Sequence, residues 1–169
     1  MAIRTSGIDH IHFNVRDLRK LLGIMNQLFD TDTTPISTLE PHGFYNATMT
    51  LAGADAGQPF LDLFQPASDD SEVGRILRDR GPGVSYISFR VENLEMAAEH
   101  AAKCGLREVS RDGYRGMRQV QYDTVEQLGF QLEFVEYAPG FHEELEVIKR
   151  RMRAGETVDG LRYVEPQIS

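Results

Sequence analysis

The chain has 169 residues, 41% of them hydrophobic and 26% charged, with a net charge of -8; this is ordinary globular usage without the cationic surplus that nucleic-acid binding requires. No apolar run reaches the length of a membrane span or a signal-peptide core, so no membrane association and a cytoplasmic location are expected. Cys104 is the lone cysteine, which rules out an intrachain disulfide, and the alanines before it read as packed helix rather than as the setting of a reactive thiol.

In chain order, Ile8-Asp9-His10-Ile11-His12-Phe13-Asn14-Val15 alternates apolar and polar residues, the period of a strand with one wet face, so His10, His12 and Asn14 are expected to share that face. Asp17 is placed to cap a helix whose Leu18, Leu21, Leu22, Met25, Leu28 and Phe29 recur at helical spacing, and residues 30–35 end it. Strands are expected over 44–51 and 60–64, across a turn at 53–59. Asp69-Asp70-Ser71-Glu72 resembles a capping box opening a short helix toward Arg80, and Gly81-Pro82-Gly83 closes this half.

The second half repeats the first. Val84-Ser85-Tyr86-Ile87-Ser88-Phe89-Arg90-Val91-Glu92-Asn93-Leu94 lies over the strand and helix start from Ile8 to Leu18 at a constant spacing of 76 residues, matching the apolar strand face, the cap (Asp17, Asn93) and the first helix leucine. After this second helix come Gly105 and a short strand. Residues 117–124 and 130–137 are expected to form a hairpin across a turn at 126–129. Residues 143–153 read as a helix whose cationic end, Lys149 to Arg153, complements the helix dipole or contacts an anionic ligand, and an irregular appendage follows from Gly155. The expected organisation is one α+β structural domain: a first module over 1–80, a second over 81–138, and a C-terminal helix and tail over 139–169.

The two half-starts, together with Leu61-Asp62-Leu63-Phe64-Gln65-Pro66, Gly81-Pro82-Gly83, Tyr122-Asp123-Thr124 and Leu128-Gly129-Phe130-Gln131-Leu132-Glu133, resemble the vicinal oxygen chelate (glyoxalase, bleomycin resistance, dioxygenase) superfamily in its methylmalonyl-CoA epimerase-like branch. The likeness runs from Ile8 to about Tyr137. It implies two tandem βαβββ modules forming a cupped, barrel-like mixed sheet around a cavity, a homodimer, and a divalent ion (Zn, Co, Ni, Mn, Mg or Fe) held at positions that fall on His10, Asp62, Tyr86 and Glu133. Imidazole and carboxylate oxygens suit such ions. Two positions depart from the pattern: Tyr86 stands where a second histidine is usual, and a neutral phenol binds divalent ions poorly; Asn46 stands where the epimerases carry a second glutamate, and an amide cannot accept a carbon-bound proton.

Each position has two readings. His10 is a ligand or a strand histidine satisfied by a neighbour, and His12, about 7 Å further along the same face, replaces the missing ligand, contacts substrate or serves structure. Asp62 and Glu133 lie between apolar residues, where an unpaired carboxylate is costly to bury; Arg90 is a partner candidate for Asp62. Tyr86, Ser88 and Arg90 share a face: either Arg90 grips an anionic group and Tyr86 donates to an enolate oxygen, or Arg90 points outward and Tyr86 is buried for its ring. Asn14, Asn46, Ser88, Arg90 and Gln131 are the expected substrate contacts, with Glu133, Tyr86 and His12 as catalytic candidates; His42 is expected in a loop covering the cavity. The enzyme this implies is a metal-assisted isomerase or lyase working on a small oxygenated acid or acyl thioester. The alternative is a metal-free protein of the same fold that sequesters a small molecule.

Overall fold

In a computed structural model describing residues 2–39, 43–51 and 58–164, one ten-stranded mixed sheet carries the molecule. Its elements are β1 (Thr5–Asn14), α1 (Leu18–Leu28), β2 (Thr31–Thr33), β3 (Ser37–Leu39), β4 (Phe44–Leu51), β5 (Phe60–Pro66), α2 (Glu72–Arg80), β6 (Gly83–Val91), α3 (Leu94–Lys103), β7 (Glu108–Tyr114), β8 (Met117–Tyr122), α4 (Val125–Leu128), β9 (Gln131–Tyr137), α5 (Phe141–Arg153) and β10 (Leu161–Tyr163). The sheet order is β10-β3-β4-β5-β1-β6-β9-β8-β7, with β2 paired to β4. The two halves meet where β1 lies antiparallel to β6; β1 is parallel to β5 and β6 is parallel to β9.

The duplication read from the sequence has a structural counterpart at the helix starts. Asp17 accepts from the Lys20 N–H and Asn93 from the Met96 N–H, both at 2.9 Å. A second acceptor comes from the strand parallel to each half-start: Gln65 Oε1 takes the Leu18 N–H at 2.8 Å, and Glu136 Oε2 takes the Leu94 N–H at 2.6 Å. Two of the free first-turn donors are thus met in the same way in each half.

Each half buries its own core on the helix side. Leu18 of α1 packs with Ala47, Met49 and Leu63, while Leu94, Ala97, Ala98 and Ala101 of α3 pack with Val91, Val120, Tyr122 and Phe134. Since successive strand residues point to opposite faces, the intervening positions (Asp62, Gln121, Glu133) turn to the other side. That division puts the polar chemistry on the face opposite α1 and α3.

Several expectations change. The 30–35 segment contains β2, and the 126–129 turn is the one-turn helix α4, ended by Gly129 at φ 81°. The tail is no appendage: β10 pairs with β3, and Val158 and Leu161 pack with Ile148, Met152, Tyr114 and Tyr163. Arg115 on the β7–β8 turn binds Asp159 at 2.8 Å and also contacts Glu144, so the tail links a distant turn to the edge strand. Cys104 ends α3 and is exposed. His42 and most of the 53–59 turn lie outside the described residues.

Candidate metal centre

Strand register alone assembles the site. Across β5, β1, β6, β9 and β8, one row of the ladder reads Phe60, His10, Ser88, Glu133 and Gln121, and the next reads Asp62, His12, Tyr86 and Gln131. The four positions implied by the resemblance, His10, Asp62, Tyr86 and Glu133, therefore stand in adjacent rows, and His10 and Glu133 lie on the same side of the sheet.

Within this face three groups converge. One ligand atom from each of His10, His12 and Glu133 lies within 4.8 Å of the others. The two imidazoles present Nε2 to Nε2 at 2.6 Å, and Glu133 Oε1 sits 3.3 Å from His10 Nε2 and 3.6 Å from His12 Nε2. The rings are backed by aromatic stacking, His10 on Phe60 and His12 on Phe64, with centroids 4.8 and 5.0 Å apart. Glu133 is fully buried; Gln121 Nε2 donates to its Oε2 at 2.7 Å, while Oε1 has no well-directed hydrogen-bond donor within the protein.

A fully buried carboxylate oxygen without a donor is expensive unless positive charge faces it. Two imidazole nitrogens and that oxygen, gathered within ligating reach, are a donor set for a borderline divalent ion. Burial raises the Glu133 pKa, but positive charge on the His12 and His10 rings, whose Nε2 atoms lie 3.6 and 3.3 Å from Oε1, outweighs it and holds the carboxyl well below its usual range. For His10, burial lowers the pKa and the Asp9 and Glu133 carboxylates more than reverse this, raising it to about 10. Without a cation the cluster is therefore stabilised as an imidazolium between carboxylates.

The remaining candidates take distinct places. Asp62 lies beside His12 in the ladder but accepts from Asn46 Nδ2 at 2.6 Å, which leaves it outside the three-group cluster. Arg90 does not serve Asp62, contrary to expectation: its Nε donates to Asp9 Oδ1 at 2.7 Å and Nη2 contacts the same oxygen. Tyr86, nearly buried, donates to Glu72 Oε1 at 3.5 Å; burial first, then the Glu72 and Glu133 charges, push its phenol upward and keep it protonated. Asn14 Nδ2, Ser88 Oγ and Gln131 Oε1 are buried polar atoms with no partner in the protein. Four of the five such atoms among the described residues, Glu133 Oε1 included, belong to the wet-face residues of β1, β6 and β9.

Asp9, Tyr137, Gln121 and Glu72 are the neighbours that sequence reasoning missed. Strict alternation sends Asp9 to the apolar face, and nothing local ties Tyr137 or Gln121 to β1; only the adjacency of Asp9 to His10 was a visible signal. A cleft of about 680 Å³ opens elsewhere, between α1, the β2–β3 segment and the chain around Met152 to Val164, and His10, His12, Asp62, Tyr86 and Glu133 do not line it.

The fold agrees with what the chain is similar to. Residues 9–122 match the model of the glyoxalase/bleomycin resistance protein/dioxygenase superfamily, and the chain belongs to that superfamily. Among solved structures, methylmalonyl-CoA epimerase from Mycobacterium tuberculosis superposes with a TM-score of 0.70 at 20% identity, over 85% of this chain and 95% of that one. A variant of the Streptomyces coelicolor methylmalonyl-CoA epimerase in complex with 2-nitronate-propionyl-CoA gives 0.68 at 25% identity, over 80% and 97%. No curated protein sequence matches the chain. No helix among the described residues is long and apolar enough to cross a membrane.

Proposed function

We propose that this protein is a metal-assisted isomerase or lyase acting on an acyl thioester or a small oxygenated acid through an enolate. The observation that carries the reading is the convergence of His10, His12 and the donorless Oε1 of Glu133 in a buried site. These three residues would hold the ion, which when bound supplies Lewis-acid polarisation of a substrate carbonyl. The acyl-CoA compound bound by the epimerase neighbour supports a thioester as the substrate class.

The chain's own groups divide the remaining work. The Tyr86 phenol, kept protonated, is a hydrogen-bond donor for an enolate oxygen. Ser88 Oγ and Asn14 Nδ2 are free to donate to substrate oxygens, and Gln131 Oε1 is free to accept from a substrate O–H or N–H. With His12 given to the ion, Glu133 is the group left to move a proton, its Oε2 held by Gln121 and its Oε1 turned to the site. Asn46, an amide bound to Asp62, provides no second base, so an isomerisation that needs one base fits better than two-base epimerisation.

A metal-free binding protein is the second reading, favoured by the His10 imidazolium that Asp9 and Glu133 stabilise in the absence of an ion. Elemental analysis of protein purified without added metal, repeated on His10→Ala and Glu133→Ala, separates the two. One equivalent of a divalent ion in the wild type and none in either variant is expected; an ion-free wild type, or content unchanged by both substitutions, removes the metal reading.

A further inference from the structure

Asp9 is the most heavily engaged side chain next to the cluster, and it has no part in the chemistry above. It is 1% exposed. Its Oδ2 faces His10 Nδ1 at 2.7 Å and the Tyr137 hydroxyl at 2.7 Å, while Oδ1 takes the Arg90 guanidinium. Strand register explains how it comes to lie there. Ile8 pairs with Phe89 and His10 pairs with Ser88, so Asp9 is an extra residue on β1. In such a bulge two residues oppose one, which turns Asp9 and His10 to the same side of the sheet.

The consequence for His10 follows from donor and acceptor chemistry. A carboxylate facing an arginine and a tyrosine hydroxyl is ionised and can only accept, so His10 Nδ1 must carry a proton. The ring then directs Nε2 at His12 and Glu133, the orientation a metal ligand needs. Carboxylates that hold the far nitrogen of a ligating imidazole fix its tautomer and raise its basicity.

We propose that Asp9, clamped by Arg90 and Tyr137, is the positioning residue that locks His10 with its Nδ1 proton turned away from the site and its Nε2 turned into it. The inference rests on the metal reading for its role, though not for its geometry. It assigns Arg90 to the support of a ligand in place of the grip on substrate.

The test is Zn(II) affinity, measured by chelator competition on the full chain, together with the imidazole N–H signals in ¹⁵N-labelled protein. Asp9→Asn is expected to weaken Zn(II) binding by about 10–100-fold and to move a far-downfield His10 Nδ1 proton upfield. A folded Asp9→Asn protein that binds Zn(II) within about twofold of wild type, with that proton unmoved, overturns the proposal. Because this variant leaves Arg90 without its anion and can fail to fold, Tyr137→Phe is the second arm: it keeps the charge on Asp9 and removes one donor. A loss of up to about tenfold with a displaced Nδ1 signal is expected for it, and no change in either readout counts against the clamp. If the wild type takes up no Zn(II), the metal reading falls by itself; the Nδ1 proton still decides the position of His10, its presence far downfield upholding the Asp9 contact and its absence removing it.

Discussion

Strands β1 and β6 lie side by side at the middle of the sheet, share one sequence template, and have diverged on one face only. Their apolar positions, their caps and their first helix leucines perform matching tasks, down to the Gln65 and Glu136 side chains that hold the Leu18 and Leu94 amides. Their wet faces differ: β1 presents His10 and His12, whereas β6 presents Tyr86 and Ser88 at the paired positions. The contrast shows that in a duplicated sheet the residues that build the fold are held in pairs, while those that carry chemistry need to be present only once, because both strands face the same site.

The largest effect that tests this asymmetry concerns the metal. His12→Ala is expected to abolish stoichiometric divalent ion, while Tyr86→Phe retains it, both read by elemental analysis of dialysed protein. The reverse outcome would move the ligand from β1 to β6. A smaller effect tests the symmetry of the cores. Leu18 and Leu94 are each 1% exposed at the start of their helices, so Leu18→Ala and Leu94→Ala are each expected to cost about 2–5 kcal/mol in denaturant unfolding. A loss confined to one variant would show that one half folds without its helix anchor.

The smallest effect separates the halves by pH. The Leu94 N–H, and then Arg118, hold the Glu136 carboxyl below its ordinary value, whereas Gln65 at the equivalent place cannot titrate. A depressed carboxyl contributes stability that is present above its ordinary pKa and is lost as pH falls through the folded value. Acidification from neutrality to below the carboxylate range is therefore expected to speed hydrogen exchange of the Leu94 amide, held by Glu136, relative to the Leu18 amide, held by Gln65, after correction for intrinsic rates. Equal loss of protection at these two amides would refute a specific role for Glu136.

Much of the site was legible before folding was considered. Alternation placed His10 and His12 on one wet face, and the resemblance placed Glu133 with them; the register of β1, β6 and β9 brings all three within ligating reach. Arg90 meets Asp9 in place of Asp62 because β1 does not alternate perfectly: one extra residue at Asp9 changes which carboxylate the guanidinium meets. Glu72 was invisible because it comes from a linker helix that approaches Tyr86 from outside the sheet.

By itself the sequence determined what depends on near neighbours along the chain: the period of the apolar residues, the capping side chains and the repeat of the two half-starts. Tertiary structure alone decided the contacts between residues far apart in the chain. Asp9 meets Arg90 across 81 residues and Tyr137 across 128, and β10 returns to pair with β3. The physical reason is that periodicity and caps are set by local backbone geometry, whereas the partner of a buried charge is set by strand register, and a single bulge shifts that register without leaving a mark on the apolar pattern.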